Sequence, residues 1–338
     1  MLQLLKEGHI VHALGRDEKA LDELKNKIPE EYKKRLWVQK LDIIPENKQQ
    51  VADYLQENHI EIIIHAAGQA SVGKSYKEVE AYEKEHGASY TQNPEIVRHT
   101  ETGIANIQTT EVLLEALAEL RFTRRRPHFH LVSTGDVFSQ FSNNTINEQS
   151  ERGPNTPYGQ SKQYAEERLQ ESVKKGNITG SVSYGPLIFG VDQRPIALIP
   201  IITQKFLDNE PVILRGDPNR ATDAIDVDDF AKILVNISTR ISPKSLDQYV
   251  ISGHRTTIGE LFELVADAIE KYTGTRPFYE IDPKEQLPSD KPIDQSYVKE
   301  AFPTVYEHLT SLREVIDKAV KQQVMNREED LIHSLNHA

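Results

Sequence analysis

The stretch Ile60–Gly68, "IEIIIHAAG", decides the fold class of this chain. Its nearly continuous apolar run is short, and it lacks the strict alternation of a half-buried strand. Such a run is typical of a strand that is buried on both faces within a parallel sheet. Ala66 and Ala67 follow the run, at what would be the carboxyl end of the strand.

Strand and helix patterns alternate on both sides of this stretch. The other predicted strands are "HIVHALGR" (His9–Arg16), "RLWVQKLDI" (Arg35–Ile43), "HFHLVSTGD" (His128–Asp136) and "GSVSYGPLIFG" (Gly180–Gly190). Helical segments such as "DEKALDELKNKI", "KQQVADYLQENH" and "NIQTTEVLLEALAEL" separate them. This alternation predicts an α/β fold with a doubly wound parallel sheet. Sites in such sheets lie at the carboxyl ends of the strands, where Ser133–Thr134 and Tyr184–Leu187 also fall.

Composition limits the class of partner. The 338 residues carry a net charge of −12, which argues against nucleic acid or an anionic membrane as the main partner. The absence of cysteine excludes disulfides, thiol catalysis and cysteine-ligated zinc, and no histidine cluster has metal-ligand spacing. We expect no signal peptide and no membrane span, because the N-terminus is polar and the apolar runs are short. A cytoplasmic protein is therefore predicted.

The segment "TPYGQSKQYAEERL" (Thr156–Leu169) is predicted to begin a helix, with Thr156 as N-cap and Pro157 at the first helical position. Tyr158 and Lys162 then share one face of that helix. An ammonium close to a phenol lowers the pKa of the phenol, which could then exchange a proton with a sugar or alcohol hydroxyl. For the pair alone, two polar residues on a solvated helix is the favoured interpretation, because Tyr and Lys four apart occur by chance in many helices.

Seven segments, taken in order, resemble the extended short-chain dehydrogenases/reductases of the NAD(P)-dependent sugar-nucleotide epimerase/dehydratase family. They are "KLDI", "HAAGQASV", "NIQTTEVLLEA", "VSTGDVFS", "PYGQSK", "GDPNRATDAIDVDDFAKIL" and "TSLREVIDKAV". The resemblance implies a Rossmann-like fold and a cofactor site. Its implied cofactor-binding residues are Asp42, Ile43, Ala66, Ala67, Gly68, Asn106, Ser133, Tyr158, Lys162, Tyr184 and Leu187.

The same resemblance implies the catalytic roles. Tyr158 would take the proton of the sugar hydroxyl, and Lys162 would lower the pKa of Tyr158 and hold the nicotinamide ribose. Thr134 lies 24 residues before Tyr158, the usual separation in the family, and would donate a hydrogen bond to the same substrate oxygen. Asp136 is a candidate base for 4,6-dehydration, although Asp is shorter than the usual Glu. A solvated loop Asp is the alternative, so the choice of reaction stays open.

Three departures from the family pattern matter. The first strand and its glycine-rich turn do not occur in the sequence, which predicts unpaired strand edges in a truncated or degenerate member. Gly15–Arg16 stands where an acidic residue would bind the ribose of NAD, which slightly favours NADP over NAD, although Arg16 could be a plain surface residue. The usual substrate-binding Arg is replaced by Thr222, so Arg194 and Arg220 become candidate diphosphate contacts.

We therefore predict a Rossmann-like NAD(P)-binding domain over 1–186, to which 219–253 returns, and a mainly substrate-binding part over 187–338. The segment Lys74–Val97 is interpreted as a solvated excursion rather than an active-site flap or an added helix. The predicted function is a nucleotide-sugar epimerase or dehydratase that works through a keto intermediate. The alternatives are an NADP-dependent keto-sugar or carbonyl reductase and a non-catalytic relic. The resemblance also suggests a homodimer that uses the Tyr158 helix.

Overall fold

The computed structural model describes residues 1–91, 93–120, 126–138, 145–193, 195, 197–240, 246–284 and 292–336. The chain folds into two compact units. The first unit comprises Met1–Ser142, Glu148–Tyr184 and Ala231–Val250, and the second comprises Asn143–Asn147, Gly185–Phe230 and Ile251–Ala338. The return to the first unit thus begins at Ala231, whereas the sequence-based prediction placed it at 219.

Strands and helices alternate through most of the described chain. The strands are β1 Val11–Gly15, β2 Leu36–Lys40, β3 Ile62–His65, β4 His128–Thr134, β5 Thr179–Gly185, β6 Leu187–Phe189, β7 Ile213–Arg215, β8 Ala221–Asp226, β9 Leu246–Val250, β10 His254–Thr257 and β11 Glu280–Asp282. The helices are α1 Leu2–Lys6, α2 Glu18–Lys27, α3 Glu30–Lys33, α4 Lys48–Glu57, α5 Val72–His86, α6 Glu101–Gly103, α7 Thr109–Glu119, α8 Pro157–Lys174, α9 Leu198–Leu207, α10 Val227–Thr239, α11 Ile258–Thr273, α12 Ser296–Ala301, α13 Pro303–Tyr306 and α14 Leu312–Asn336. No helix of the described residues is both long and apolar enough to span a membrane.

The sheet of the first unit is in two parts. Four strands are ordered β3-β4-β5-β9, and β3 pairs in parallel with β4 as β5 does with β9. A separate parallel pair, β1 with β2, is held by the register Val11↔Leu36 through Gly15↔Lys40. The predicted α/β class with a parallel, Rossmann-like sheet is confirmed.

The prediction that β3 is buried on both faces is wrong. Ile62, Ile63 and Ile64 are each only half-buried, and the same holds for all five residues of β1. Within the described residues, β3 is hydrogen-bonded to β4 alone and β1 to β2 alone. Each strand therefore has one open edge, as the absence of the family's first strand predicted. An apolar strand with an open edge keeps part of its surface in contact with solvent.

Helix α5 replaces the solvated excursion predicted from Lys74. Ser71 caps the helix, because its side chain accepts a hydrogen bond from the backbone N–H of Lys74. Gly87 ends it with φ of 63°, in the left-handed conformation that glycine adopts easily. Ser75 and Val79 are buried, and α5 packs against α8. Charged residues misled the prediction, since only one narrow face of the helix is buried.

The inward faces of β4 and β5 carry a buried chain of hydrogen bonds, here called the His–Ser ladder. His128 bonds Thr179 Oγ1 at 2.9 Å and Ser181 Oγ at 2.8 Å. His130 bonds Ser181 Oγ at 2.7 Å and Ser183 Oγ at 3.0 Å. Burial lowers the pKa of His128 to about 4 and that of His130 to about 3. Both imidazoles are therefore neutral at pH 7, and every ring nitrogen has a partner.

The single strand predicted over Gly180–Gly190 is two strands, β5 and β6. Pro186 separates them, because proline offers no backbone N–H to a strand ladder. In the second unit β6 joins the sheet ordered β10-β8-β6. A hydrophobic core there draws on α9, α11 and α14, with Ile202, Val265 and Ile316 among its buried side chains.

Candidate active site

The start of α8 is pressed against the turn that follows β4. The Thr156 side chain caps α8 by accepting a hydrogen bond from the N–H of Gly159 at 2.9 Å. A Cβ at Gly159 would lie only 2.6 Å from the backbone oxygen of Asp136, so glycine permits this approach. The contact brings Tyr158, at the second position of α8, beside Thr134 and Asp136.

Tyr158 is a buried phenol at rest. Desolvation and, to a smaller extent, the carboxylate of Asp136 raise its pKa, a hydrogen bond with Thr134 lowers it, and the net result is a pKa of about 12. The phenol is therefore protonated at neutral pH. The predicted lowering of this pKa by Lys162 is wrong for this structure, because burial and Asp136 outweigh the favourable contacts of the phenolate.

Lys162 is a buried lysine one helical turn beyond Tyr158. Its Nζ donates a hydrogen bond to the backbone oxygen of Val132 at 3.1 Å, its one hydrogen bond to the described residues. Burial lowers the pKa of Lys162 to about 8, although Glu166 opposes that shift. Burial and the Lys162 charge together lower the pKa of His65, at the end of β3, to about 3. The ammonium thus has spare donors in a site shielded from water.

Asn106 ties the end of β3 to α8. It lies in a π-helical turn, Ile104–Gln108, a distortion that is frequent at functional sites. Its Oδ1 accepts from the N–H of Gln69 at 2.9 Å, and its Nδ2 donates to Gln69 O at 3.0 Å and to Ser161 Oγ at 2.8 Å. Asn106 therefore has a full set of protein partners. Sequence analysis missed Gln69 and Ser161, which only these contacts reveal.

Gly68 lies between Asn106 and Lys162. Its φ of +146° is rare for residues with a side chain, and a Cβ would lie 2.3 Å from Asn106 Oδ1 and 3.5 Å from Lys162 Nζ. Ala66, Ala67 and Gly68 are exposed, as a cofactor contact would require. The structure thus brings the predicted residues at the end of β3 together with Asn106 and Lys162.

Ser133 and Tyr184 belong to a buried polar network instead of an open surface. Ser133 Oγ donates to Glu166 Oε1 at 2.5 Å, and Tyr184 Oη donates to Glu166 Oε2 at 3.0 Å. Arg152 approaches the same Oε2 through Nε at 3.4 Å and also bonds Tyr184 and Gln248. Sequence analysis missed Glu166 and Arg152. The signal for Glu166 was its position four residues beyond Lys162 on the same helical face.

Arg16, Asp42 and Ile43 lie at or beyond the carboxyl ends of β1 and β2. Arg16 and Asp42 are exposed, and Asp42 O accepts from Asn47 Nδ2 at 3.0 Å. Arg16 is close enough to Glu101 to lower the pKa of that carboxyl, although Lys74 contributes most. Binding of a cofactor by these three residues stays a prediction.

The remaining predicted residues lie elsewhere. Leu187 and Arg220 belong to the second unit, where both are half-buried. The backbone N–H of Arg220 donates to Asp217 O at 3.0 Å. Arg194 lies outside the described residues.

The residues around Lys162 fit the ribose end of a nicotinamide dinucleotide. The Lys162 ammonium has spare donors for ribose hydroxyls, and Gly68 leaves room that a Cβ would fill. No glycine-rich turn that could hold a pyrophosphate occurs at the first strands of the described chain. The described side chains also include no group of three metal-ligating residues.

A family model described as "NAD dependent epimerase/dehydratase family" matches residues 1–252. The chain belongs to this family. Two curated relatives within it are a dTDP-D-glucose 4,6-dehydratase of Dictyostelium discoideum and a dTDP-glucose 4,6-dehydratase of Neisseria gonorrhoeae. They are 25% and 24% identical over 186 and 152 residues, which are 52% and 44% of this chain. The chain spans only 37% and 43% of the lengths of these relatives.

Solved structures of similar fold cover nearly the whole chain. A UDP-glucuronic acid 4-epimerase from Bacillus cereus, in complex with UDP-glucuronic acid and NAD, is 18% identical and covers 95% of each chain with a TM-score of 0.70. A dTDP-glucose 4,6-dehydratase from Streptomyces venezuelae with NAD bound is also 18% identical. It covers 94% of this chain and 88% of its own, with a TM-score of 0.71. At such identities the likeness establishes the Rossmann-like fold.

Proposed function

We propose that this protein is an NAD(P)-dependent epimerase or dehydratase of a nucleotide sugar that works through a keto intermediate. The observation that carries the proposal is the hydrogen bond between Thr134 and Tyr158, with the buried Lys162 on the same face of α8. Membership in the epimerase/dehydratase family supports it. The curated and structural relatives supply the substrate class, since their names include dTDP-glucose, UDP-glucose and UDP-glucuronic acid.

The reaction needs a group that exchanges a proton with a sugar hydroxyl. Tyr158 fills this role, and its raised pKa makes the resting phenol a proton donor. After the resting phenol has released its proton, the phenolate would take the proton of the sugar hydroxyl as hydride leaves the sugar. In epimerisation the phenol formed in this way would return that proton to the keto oxygen when hydride comes back. Thr134 stabilises the phenolate through its hydrogen bond and would also contact the sugar oxygen. Lys162 would hold a ribose through its spare donors.

When bound, the dinucleotide supplies the hydride acceptor for the first step and the hydride donor for the last. Ala66, Ala67, Gly68 and Lys162 would bind its ribose and nicotinamide, and Asp42 and Ile43 its adenine. NAD is supported by the structural relatives. Arg16 is the residue that would favour NADP, but the Glu101 carboxylate is close enough to interact with Arg16 and would repel a 2′-phosphate bound there.

Asp136 favours dehydration over simple epimerisation. Its carboxylate is close enough to Tyr158 to raise the pKa of that phenol. A base at this place could remove the proton next to a 4-keto group, and both curated relatives are named as 4,6-dehydratases. An epimerase requires no such base, so Asp136 is the residue that separates the two reactions.

The test is a direct assay with a nucleotide-sugar panel. The purified chain is incubated with NAD or NADP and with UDP- and dTDP-sugars, and products are followed by proton NMR. A 4-keto-6-deoxy product indicates dehydration, and an inverted C4 signal indicates epimerisation. Steady consumption of NADPH with a keto sugar would instead establish the reductase. Absence of dinucleotide binding by the folded chain in calorimetric titration would refute all three enzyme functions and favour the non-catalytic relic.

A homodimer that uses α8 and a cytoplasmic location stay predictions. Sedimentation equilibrium of the full chain measures the oligomeric state directly. If the dimer forms through α8, a charge introduced at an exposed position of that helix, as in Gln170→Glu, weakens it more than the same change at Gln49 of α4.

A further inference from the structure

We propose that Glu166 is a positioning residue that keeps Lys162 in its charged form. The proposal rests on the proposed function, because a charged Lys162 matters only if Tyr158 exchanges protons. Tyr158, Lys162 and Glu166 are spaced i, i+4 and i+8, so they share one face of α8. Each is buried against the end of β4.

The carboxylate of Glu166 has partners for both oxygens. Oε1 accepts from Ser133 Oγ at 2.5 Å, and Oε2 accepts from Tyr184 Oη at 3.0 Å and from Arg152 Nε at 3.4 Å. Burial is the largest influence and leaves the pKa of Glu166 raised, although Arg152 and the two hydroxyls oppose that shift. These three donors counteract the burial, because hydrogen bonds and a neighbouring guanidinium favour the ionised form of a carboxylate.

Arg152 is itself fixed, so this charge is held in place. Its guanidinium lies 4.4 Å from the centroid of the Phe138 ring and 4.8 Å from that of Tyr184, and it donates to Ser150 O at 2.7 Å. Gln248 on β9 accepts from the same guanidinium. The network thus joins β4, β5, β9 and the loop before α8 to Glu166.

Few other charges face Lys162. His65 on β3 is neutral, since its pKa is lowered to about 3, and Val132 on β4 offers a backbone carbonyl. The uncharged side chain of Asn106, on the π-helical turn, lies on the other side of Gly68 from Lys162. Glu166 is therefore the anionic partner that opposes the lowering of the Lys162 pKa by burial. Ser133 lies between Val132 and Thr134 on β4, so its hydrogen bond also fixes Glu166 to the strand segment that contacts Lys162 and Tyr158.

The test measures the pKa of Lys162 itself. The protein is labelled with lysine enriched in ¹³C at Cε, the Lys162 signal is assigned with Lys162→Arg, and NMR titrations compare wild type, Glu166→Gln and Glu167→Gln. Glu167 is the matched control, since it lies next to Glu166 and its one hydrogen bond to the residues that the structure describes is with Gln163, at 3.0 Å. We expect Glu166→Gln to lower the Lys162 pKa by about 1 unit and the control to leave it unchanged. An unchanged pKa in Glu166→Gln would overturn the proposal.

The titration is independent of turnover, so loss of the proposed enzymatic function would leave this result intact. If the chain is active, the alkaline limb of its pH–rate profile moves to lower pH in Glu166→Gln only, which a purely structural role would not produce. If Glu166→Gln does not fold, two other measurements replace it. The NMR signal of the Glu166 carboxyl carbon is followed in the wild type, and the Lys162 pKa is measured in Glu166→Asp. The proposal then requires an ionised Glu166 throughout the Lys162 titration and a wild-type Lys162 pKa in Glu166→Asp. A protonated Glu166 or a shifted Lys162 would contradict it.

Discussion

Lys162 Nζ donates a hydrogen bond to the backbone oxygen of Val132, two residues before Thr134 on the same strand. This bond fixes the ammonium against the end of β4, while Thr134 bonds the phenol of Tyr158. The Tyr158 phenol, its partner Thr134 and the buried Lys162 ammonium are therefore all held at the end of one strand. Displacement of this strand would alter all three together.

Tyr158→Phe removes the proton-transferring hydroxyl while retaining the buried ring. We expect the turnover rate to fall by about 10²–10⁴-fold, with dinucleotide affinity changed little. Tyr164→Phe is the control, because Tyr164 lies on the same helix and its pKa is also raised to about 12. Assays with the best substrate of the panel compare the two variants. Equal loss in both would exclude a special role for Tyr158.

Lys162→Met is expected to stabilise the fold and to abolish activity. The pKa of Lys162 is about 8 in the fold and near 10.5 when unfolded, so its burial as an ammonium costs on the order of 3 kcal/mol below pH 8. Because the folded chain loses this proton first, the wild type gains stability between about pH 8 and 10.5, and the variant lacks that gain. Urea unfolding at pH 7 and pH 10 measures both effects. A variant less stable than wild type at pH 7 would contradict the assignment.

Gly68→Ala tests the close approach at the end of β3. The added Cβ would collide with Asn106 Oδ1, and the φ of +146° is unfavourable for alanine. We expect a loss of about 1–3 kcal/mol in the free energy of unfolding and weaker dinucleotide binding. Gly73→Ala is the control, because nothing lies within 4 Å of its Cβ and it sits inside α5. That control is expected to be neutral or stabilising by up to about 1 kcal/mol.

The His–Ser ladder predicts acid sensitivity. Histidines 128 and 130 have pKa values near 4 and 3 in the fold against about 6.5 when unfolded, so the unfolded chain binds more protons below pH 6.5. The contribution of the two histidines to the free energy of unfolding is fully present above pH 6.5. As the pH drops toward 4, each histidine lowers that free energy by about 1.4 kcal/mol per pH unit. His130→Gln is expected to reduce this slope, whereas His308→Gln, at an exposed position, leaves it unchanged. Thermal unfolding between pH 7 and 5 provides the measurement.

Arg16→Ala tests the choice of cofactor. If Arg16 pairs with a 2′-phosphate, the affinity for NADP falls about tenfold and that for NAD stays constant. Lys19→Ala, an exposed charge on the following helix, serves as the control. Titration calorimetry with both dinucleotides gives the ratio of the affinity for NADP to the affinity for NAD. An unchanged ratio would mean that Arg16 is a surface residue without a role in selection.

Local patterns predicted the elements that carry the site. The Thr156 cap and Pro157 placed the start of α8, and the apolar run before Ser133 placed β4. The pairing of Thr134 with Tyr158 was implied by the family resemblance and not by these local patterns. The pKa of Tyr158 did not follow, because burial and the approach of Asp136 depend on how α8 packs on the turn. Glu166 and Arg152 are 14 residues apart and meet Tyr184 and Gln248 only after folding. No local periodicity encodes such a network.

The chain has one tryptophan, Trp37, and it lies on β2 with 58% of its surface exposed. Its ring stacks on His12 of β1 with ring centroids 6.1 Å apart. Indole fluorescence therefore reports on the β1–β2 pair alone, whereas far-ultraviolet circular dichroism averages over all helices. Among the described residues β1 and β3 share no ladder, and His12 of β1 bonds Tyr54 of α4 at 2.8 Å, so side chains and not strand pairing link the pair to α4. We expect so small a pair, without a sheet ladder to the other strands, to open as a segment of its own. Denaturation followed by the two optical signals should then give two midpoints, with the fluorescence change at the lower urea concentration.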